Sequence, residues 1–206
     1  MKTSSRNQFK GIIKDIERHT INGIVTIDSN GAIFHSIITL NAIDELGLEV
    51  GKEATAVIKS AQILVSNDKN EISARNKIKG KITKINEAKI SIDANGDKLS
   101  SIITKSQIAN MGLKEGMEAY IVVKATSVLL GNPNMEESCN CASNMIKGTI
   151  TNIKRGEILS VVSVDSNNGN KFVAEISNDA VERLKIDVGS KTTVFFKALS
   201  CLVGIE

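Results

Sequence analysis

Aromatic residues are scarce in this chain of 206 residues: no tryptophan, one tyrosine and five phenylalanines, 3% in all. A protein that holds single-stranded nucleic acid stacks bases on aromatic faces along a basic groove, so the scarcity speaks against that class. Charge speaks the same way, because the net value is only +3 and no segment gathers the lysines into a basic arm. No apolar run approaches the roughly 20 residues that span a bilayer, and the polar N-terminus has no apolar leader core. The expectation is a soluble, cytoplasmic protein with no nucleic-acid or membrane partner. The single proline, Pro133, sits among asparagines and acids in a loose linker from Gly131 to Glu137. Cysteines number three, an odd and sparse set that suits reducing surroundings. Cys139 and Cys141 lack a second ligand pair for zinc and read as unpaired thiols at a junction. His19 and His35 have no counterparts elsewhere in the chain and read as surface residues.

What the chain has is repetition. Ser4-Ser5-Arg6-Asn7-Gln8-Phe9-Lys10-Gly11 returns as Ser73-Ala74-Arg75-Asn76-Lys77-Ile78-Lys79-Gly80. It returns in worn form as Cys141-Ala142-Ser143-Asn144-Met145-Ile146-Lys147-Gly148. A turn signal recurs at Asn30-Gly31, Asn95-Gly96 and Asn168-Gly169, as tight hairpins require. A hydroxyl that opens a short helical run recurs at Thr39, Thr104 and Ser177. A lysine within an apolar strand recurs as Lys59, Lys124 and Lys197, at intervals of 65 and 73 residues. One small domain has been copied three times, with expected bounds 1–66, 71–131 and 142–206. Each copy has the size at which a lone domain buries only about 60% of its unfolded surface, so the copies should pack on one another and on a second chain.

Within the first copy, Phe9–Ile16, Ile21–Ile27 and Ala32–Ile38 read as strands that mix β-branched residues with charges on the other face. Thr39 is the expected N-cap of a helix with Ile43 and Leu46 inward, ended by Gly47. Glu53–Val65 is the expected last and longest strand. In the second copy Ala88, Ile90 and Ile92 alternate cleanly, and Thr104 with Gln107 makes a capping-box pattern. The predicted fold class is all-β with short helices, as three tandem OB-like β-barrels.

No catalytic set is visible: no histidine recurs, no nucleophile stands in a recognisable elbow and no glycine-rich phosphate loop joins strand to helix. The chain is therefore not expected to be an enzyme. What recurs is a set of donors, Ser4, Arg6, Lys59 and Thr39 in the first copy and Ser73, Arg75, Lys124 and Thr104 in the second. A lysine inside an apolar strand is costly without a counter-charge, and no acid recurs beside it. A small tetrahedral dianion would supply the charge and use many donors. The alternative is that each lysine snorkels from a barrel rim and each arginine pairs with a surface carboxylate.

Ser-x-Arg-Asn-x-x-x-Gly at the start, Gly-Leu-x-x-Gly before the last strand and Val-x-Lys-Ala/Ser closing it resemble the molbindins, TOBE-type domains. The resemblance implies an OB-like barrel that assembles in groups of six and binds molybdate or tungstate between neighbouring domains, for storage or buffering. It implies an oxyanion site of Ser4, Arg6, Lys59 and Ser60 in the first copy and of Ser73, Arg75, Lys124 and Ala125 in the second. Thr39 with Ala42, and Thr104 with Gln107, would be contributed to a neighbour's site. The third copy keeps Ser177, Lys197 and Ala198, but has Ser143 for the arginine and Cys141 for the serine. Metal would enter only as the oxyanion, with no direct cation site, and three domains per chain imply a homodimer. Two other readings remain open: a regulatory oxyanion sensor acting through a partner, and an OB-like nucleic-acid binder.

Overall fold

The computed structural model of the chain describes residues 5–66, 71–134 and 144–205. Ser4, Cys139, Cys141, Ser143 and parts of both expected linkers lie outside them. The three repeats follow one plan, with elements numbered in chain order. A long strand comes first: β1 (Asn7–Arg18), β5 (Asn76–Asn86) and β10 (Asn144–Arg155). It is followed by a hairpin: β2 (Asn22–Ser29) with β3 (Ala32–Thr39), β6 (Lys89–Ala94) with β7 (Asp97–Ile102), and β11 (Leu159–Ser166) with β12 (Lys171–Ser177). Next come one short helix, α1 (Leu40–Glu45), α2 (Lys105–Asn110) or α3 (Asn178–Leu184), and one strand, β4 (Glu53–Ile58), β8 (Glu118–Val123) or β13 (Lys191–Phe196). A single 3₁₀ turn closes the repeat at 60–62, 125–127 and 198–200. Behind it the second and third repeats carry a short tail strand, β9 (Leu129–Gly131) and β14 (Cys201–Gly204).

Local chemistry accounts for the plan. Asn30 and Gly31 have φ of 54° and 88°, and Asn95 and Gly96 of 56° and 98°. Two consecutive left-handed residues make the turn whose twist matches paired strands. Each long strand shifts register at the same point, between Ile13 and Asp15, Ile82 and Lys84, and Ile150 and Asn152. Such a bulge bends the strand and sharpens its twist, which curls each sheet into a half-barrel. The glycine of the repeated opening motif sits at a close crossing: a Cβ on Gly80 or Gly148 would stand 2.5 Å from the carbonyl oxygen of Asp93 or Asp165.

Two expectations are corrected. Leu46 does not face inward beside Ile43. The helix is only six residues long, so Ile43 alone reaches the core at 0% exposure while Leu46, at its C-cap, is 69% exposed. Nor is Glu53–Val65 one strand, because β4 ends at Ile58 and the 3₁₀ turn breaks it.

The chain forms two compact units, residues 1–63 and 64–206. The first has a four-stranded sheet, order β3-β2-β1-β4, over a core of Ile13, Val25, Ile27 and Ile43. In the second unit the second and third repeats share one core, which runs from Ile78 and Ile121 to Phe172 and Phe196. There the tails are exchanged. β9 of the second repeat lies beside β13 of the third, and β14 of the third beside β8 of the second, giving sheets β12-β11-β10-β13-β9 and β14-β8-β5-β6-β7. Each small repeat thus gains the fifth strand and the buried surface that one copy cannot supply alone.

Candidate functional site

The recurring lysine is not in mid-strand, as the sequence led us to expect. Lys59, Lys124 and Lys197 each stand at the corner where the strand ends, extended at φ/ψ of −66/127°, −67/142° and −78/140°, and each precedes the 3₁₀ turn. A corner lets the ammonium reach solvent, so Lys59 and Lys197 are exposed and Lys124 is half-buried. None of the three lysines therefore bears the full cost of burial, and what distinguishes them is the geometry of the corner.

Strand register brings the arginine to the same corner. Asn7 pairs with Ile58 and Asn76 with Val123, both antiparallel. Arg6 and Lys59, one residue beyond each member of the first pair, therefore share one end of their sheet, as do Arg75 and Lys124. Ser60 belongs to this corner, its hydroxyl accepting from the Asn7 side-chain amide at 3.1 Å. Ala125 and Ala198 hold the same place in the other repeats and are buried. Ser73 lies two residues ahead of Arg75, its hydroxyl accepting from the Val65 N–H at 2.9 Å. Among the described residues no ion pair engages Arg6, Lys59, Arg75 or Lys197.

The helix starts lie elsewhere. Thr39 faces Asn22 across β2 and β3, and Arg18 faces Gly23 across β1 and β2. Thr39 and Ala42 thus belong to the far end of the long strand from Arg6 and Lys59, and the same hairpin plan separates Thr104 and Gln107 from Arg75 and Lys124. No single repeat gathers both sets. Their hydroxyls act as caps: Thr39 accepts from Ala42 N–H, Thr104 from Gln107 N–H and Ser177 from Ala180 N–H, each at 3.2 Å. In the second repeat the Gln107 side chain also accepts from Thr104 N–H at 2.9 Å, completing the capping box expected from the sequence.

A groove of about 380 Å³ in the first repeat lies apart from this corner and is lined by Lys10 and Lys14 but also by Asp28 and Glu53. Two carboxylates make it a poor host for a dianion. Among the described residues no cluster of three or more His, Cys, Asp or Glu forms. Both histidines are exposed, His35 Nδ1 lying 3.0 Å from the Thr26 hydroxyl. Cys201 is buried, and that burial pushes its thiol up to about 12. No helix among the described residues is long and apolar enough to cross a membrane.

Sequence reasoning passed over the asparagine that follows the arginine. Asn76 is fully buried; its amide accepts from the Val173 N–H at 2.6 Å and donates to the Val173 carbonyl at 2.9 Å. Asn144, also fully buried, does the same to Ser100 at 2.6 and 3.0 Å. Each repeat thus grips the third strand of the other. The signal was present, since Asn7, Asn76 and Asn144 recur at one position.

The TOBE domain model matches residues 3–65, 72–130 and 142–203. The chain belongs to the TOBE domain family. Its TOBE repeats resemble a probable molybdenum-pterin-binding protein of Haemophilus influenzae, 48% identical over 66 residues that are 32% of this chain and 96% of that protein. The molybdenum transport protein ModE of Azotobacter vinelandii is 28% identical over 141 residues, 63% of this chain but only 51% of ModE, so the chain spans about half of that relative. Among solved structures, the cytoplasmic molybdate-binding protein ModG, with molybdate bound, aligns over 100% of both chains at a TM-score of 0.51 and 20% identity. At that identity the match speaks to the fold: an all-β chain of TOBE repeats with short helices.

Proposed function

We propose that this chain captures molybdate, or tungstate of equal charge and nearly equal size, as the intact oxyanion in sites that draw on more than one TOBE domain. It stores or buffers the anion in the cytoplasm. The names of its relatives, molybdenum-pterin-binding protein, ModE and the molybdate-binding ModG, support the ligand. The observation that carries the reading is the corner itself. An arginine and a lysine share one end of the sheet in each of the first two repeats, and no described carboxylate pairs with Arg6, Lys59 or Arg75. Two cations side by side repel one another by about 1 kcal/mol at 4 Å even in water, and a bound dianion turns that repulsion into attraction.

Ser4, Ser60 and Ser73 add hydroxyls, and Ala125 leaves room at the second corner. Thr39 with Ala42, and Thr104 with Gln107, serve a neighbouring domain's site, a reading supported by the length of long strand between them and the arginine and lysine of their own repeat. In the third repeat Lys197, Ala198 and Ser177 lack an arginine, which makes it the weakest binder. A site of donors only disfavours a protonated anion, which must itself donate a hydrogen bond. The protein performs no catalysis, the TOBE family being one of binding domains. It acts as three domains, 1–66, 71–131 and 142–206, and as a homodimer with six of them, without nucleic acid or membrane.

Calorimetric titration with molybdate, with sulfate and phosphate as controls, tests the reading. The expected result is selective binding of more than one anion per chain. Equal heats with sulfate, or none with molybdate, would overturn it.

A further inference from the structure

Among the buried polar groups of the described residues, Asp97 is the one carboxylate, 6% exposed. It opens β7, and the third repeat's hairpin tip supplies the side-chain donors on it. The Ser166 hydroxyl and the Asn170 amide donate to Oδ2, each at 2.6 Å, and the Asn168 amide donates to Oδ1 at 2.7 Å. Ser166 has its hydrogen to give, because its oxygen already accepts from the Asn168 and Asn170 N–H groups at 3.2 and 3.1 Å. We propose that Asp97 selects the partner of the second repeat: it accepts the third repeat and turns away a second copy of the second. The selection goes beyond the anion reading and does not depend on it.

Symmetry carries the argument. Asn76 grips Val173 as Asn144 grips Ser100, and Val173 and Ser100 each stand four residues ahead of the hydroxyl that caps the following helix. The two repeats are therefore related by a local two-fold axis. Asp97 and Asn170 also hold one position, each seven residues ahead of that hydroxyl, and each closes its hairpin opposite one residue, Ala94 or Ser166. Equivalent residues that touch one another lie beside the axis, where a self-pair would set each against its own copy.

Two second repeats would thus bring Asp97 against Asp97, with Ala94 in the place of Ser166. The hydroxyl and one amide would be lost, leaving Asn95 to stand for Asn168. Two carboxylates that close cannot both keep their charge, and a buried charge without its partners is strongly unfavourable.

The first repeat would serve Asp97 little better. It has Ala32 at the position beside the axis, and its Ser29 hydroxyl already donates to the Lys10 carbonyl at 2.6 Å. The third repeat alone brings a hydroxyl and two amides. Its turn is one residue longer than the others, and Asn168 lies over Gly96, where a Cβ would stand 3.4 Å from the amide. The Asn170 amide also donates to the Ala94 carbonyl at 2.7 Å, so one side chain satisfies both ends of the second hairpin.

In the full chain, Ser166→Ala with Asn170→Asp gives the third repeat the second repeat's residues at both positions, so that the molecule presents the self-pair to itself. The thermal midpoint of residues 64–206 should fall by about 5 °C or more. Adding Asp97→Asn should raise it again, since the new amide can donate to the carboxylate at position 170 and accept from Asn168. Should the first variant fail to fold, the return of a folded chain on adding Asp97→Asn, read by circular dichroism, decides the matter. An unchanged midpoint for the first variant, or no gain from Asp97→Asn, would overturn the proposal. None of these residues belongs to the corner of Arg75 and Lys124, so molybdate titration of the same samples reads the anion proposal separately.

Discussion

Replacing Asn76 with alanine removes one amide from a wholly buried position and strands three backbone groups: the Val123 carbonyl at 3.1 Å, and the Val173 carbonyl and N–H at 2.9 and 2.6 Å. A buried polar group left without its partner costs about 1–3 kcal/mol. Two of the three belong to Val173, which is half-buried, so the lower part of that range applies to them. The sum is a loss of about 3 kcal/mol, within about 2–5. It should appear in urea unfolding as a fall in the transition of residues 64–206, with Asn144→Ala, the mirror change against Ser100, matching it to within about 1 kcal/mol. A loss below about 1 kcal/mol for either variant would mean that water replaces the amide and that the paired repeats are not sealed.

Arg75→Ala and Arg6→Ala should each weaken molybdate binding about tenfold or more, a loss of at least about 1.4 kcal/mol, without shifting the unfolding midpoint; unchanged calorimetric affinity would remove that arginine from the site. Gly80→Ala should destabilise the second unit by about 1–3 kcal/mol, because its Cβ would stand 2.5 Å from the Asp93 carbonyl, which is backbone and cannot swing aside. A thermal midpoint equal to that of the unaltered chain would show that the crossing is looser than described. With its thiol pushed up to about 12 from the ordinary 9.0, Cys201 holds about a thousandfold less thiolate at pH 8 than an unfolded chain does. In a variant lacking the other two cysteines it should resist thiol reagents until the chain unfolds. The sign for stability follows: this contribution is complete below about pH 9 and fades as pH rises toward 12.

The sequence carried the local chemistry well. Asn30-Gly31 and Asn95-Gly96 turn as their types demand, Thr39, Thr104 and Ser177 cap their helices, and the alternation at Ile90 and Ile92 places both side chains in the core. It misled where two structures share one pattern. Glu53–Val65 reads as a single strand because Thr55, Val57, Ile58, Ile63 and Val65 spread β-branched residues along it, and the turn at 60–62 has neither glycine nor proline to mark it. The lysine seemed buried for the same reason, and so did Leu46, which a longer helix would have turned inward. The exchange of tails could not be read at all. A tail that folds back on its own repeat and one that crosses to the next bury the same apolar residues in the same register, and only the path of the chain between them differs. For the candidate site, residue types were legible, while the separation of Thr39 from Lys59 by the length of β1 became visible only with strand register.

The exchange also governs how this chain can be divided. A fragment cut after Gly131 would hold a tail with no host and an edge with no guest, and one starting at Asn144 would have the same two faults. Neither the second nor the third repeat is a portable module, although each looks like one on paper. The indivisible piece is the couple, so a duplication or deletion of one member by recombination would strand its mate. A gene of this design gains and loses repeats most safely two at a time.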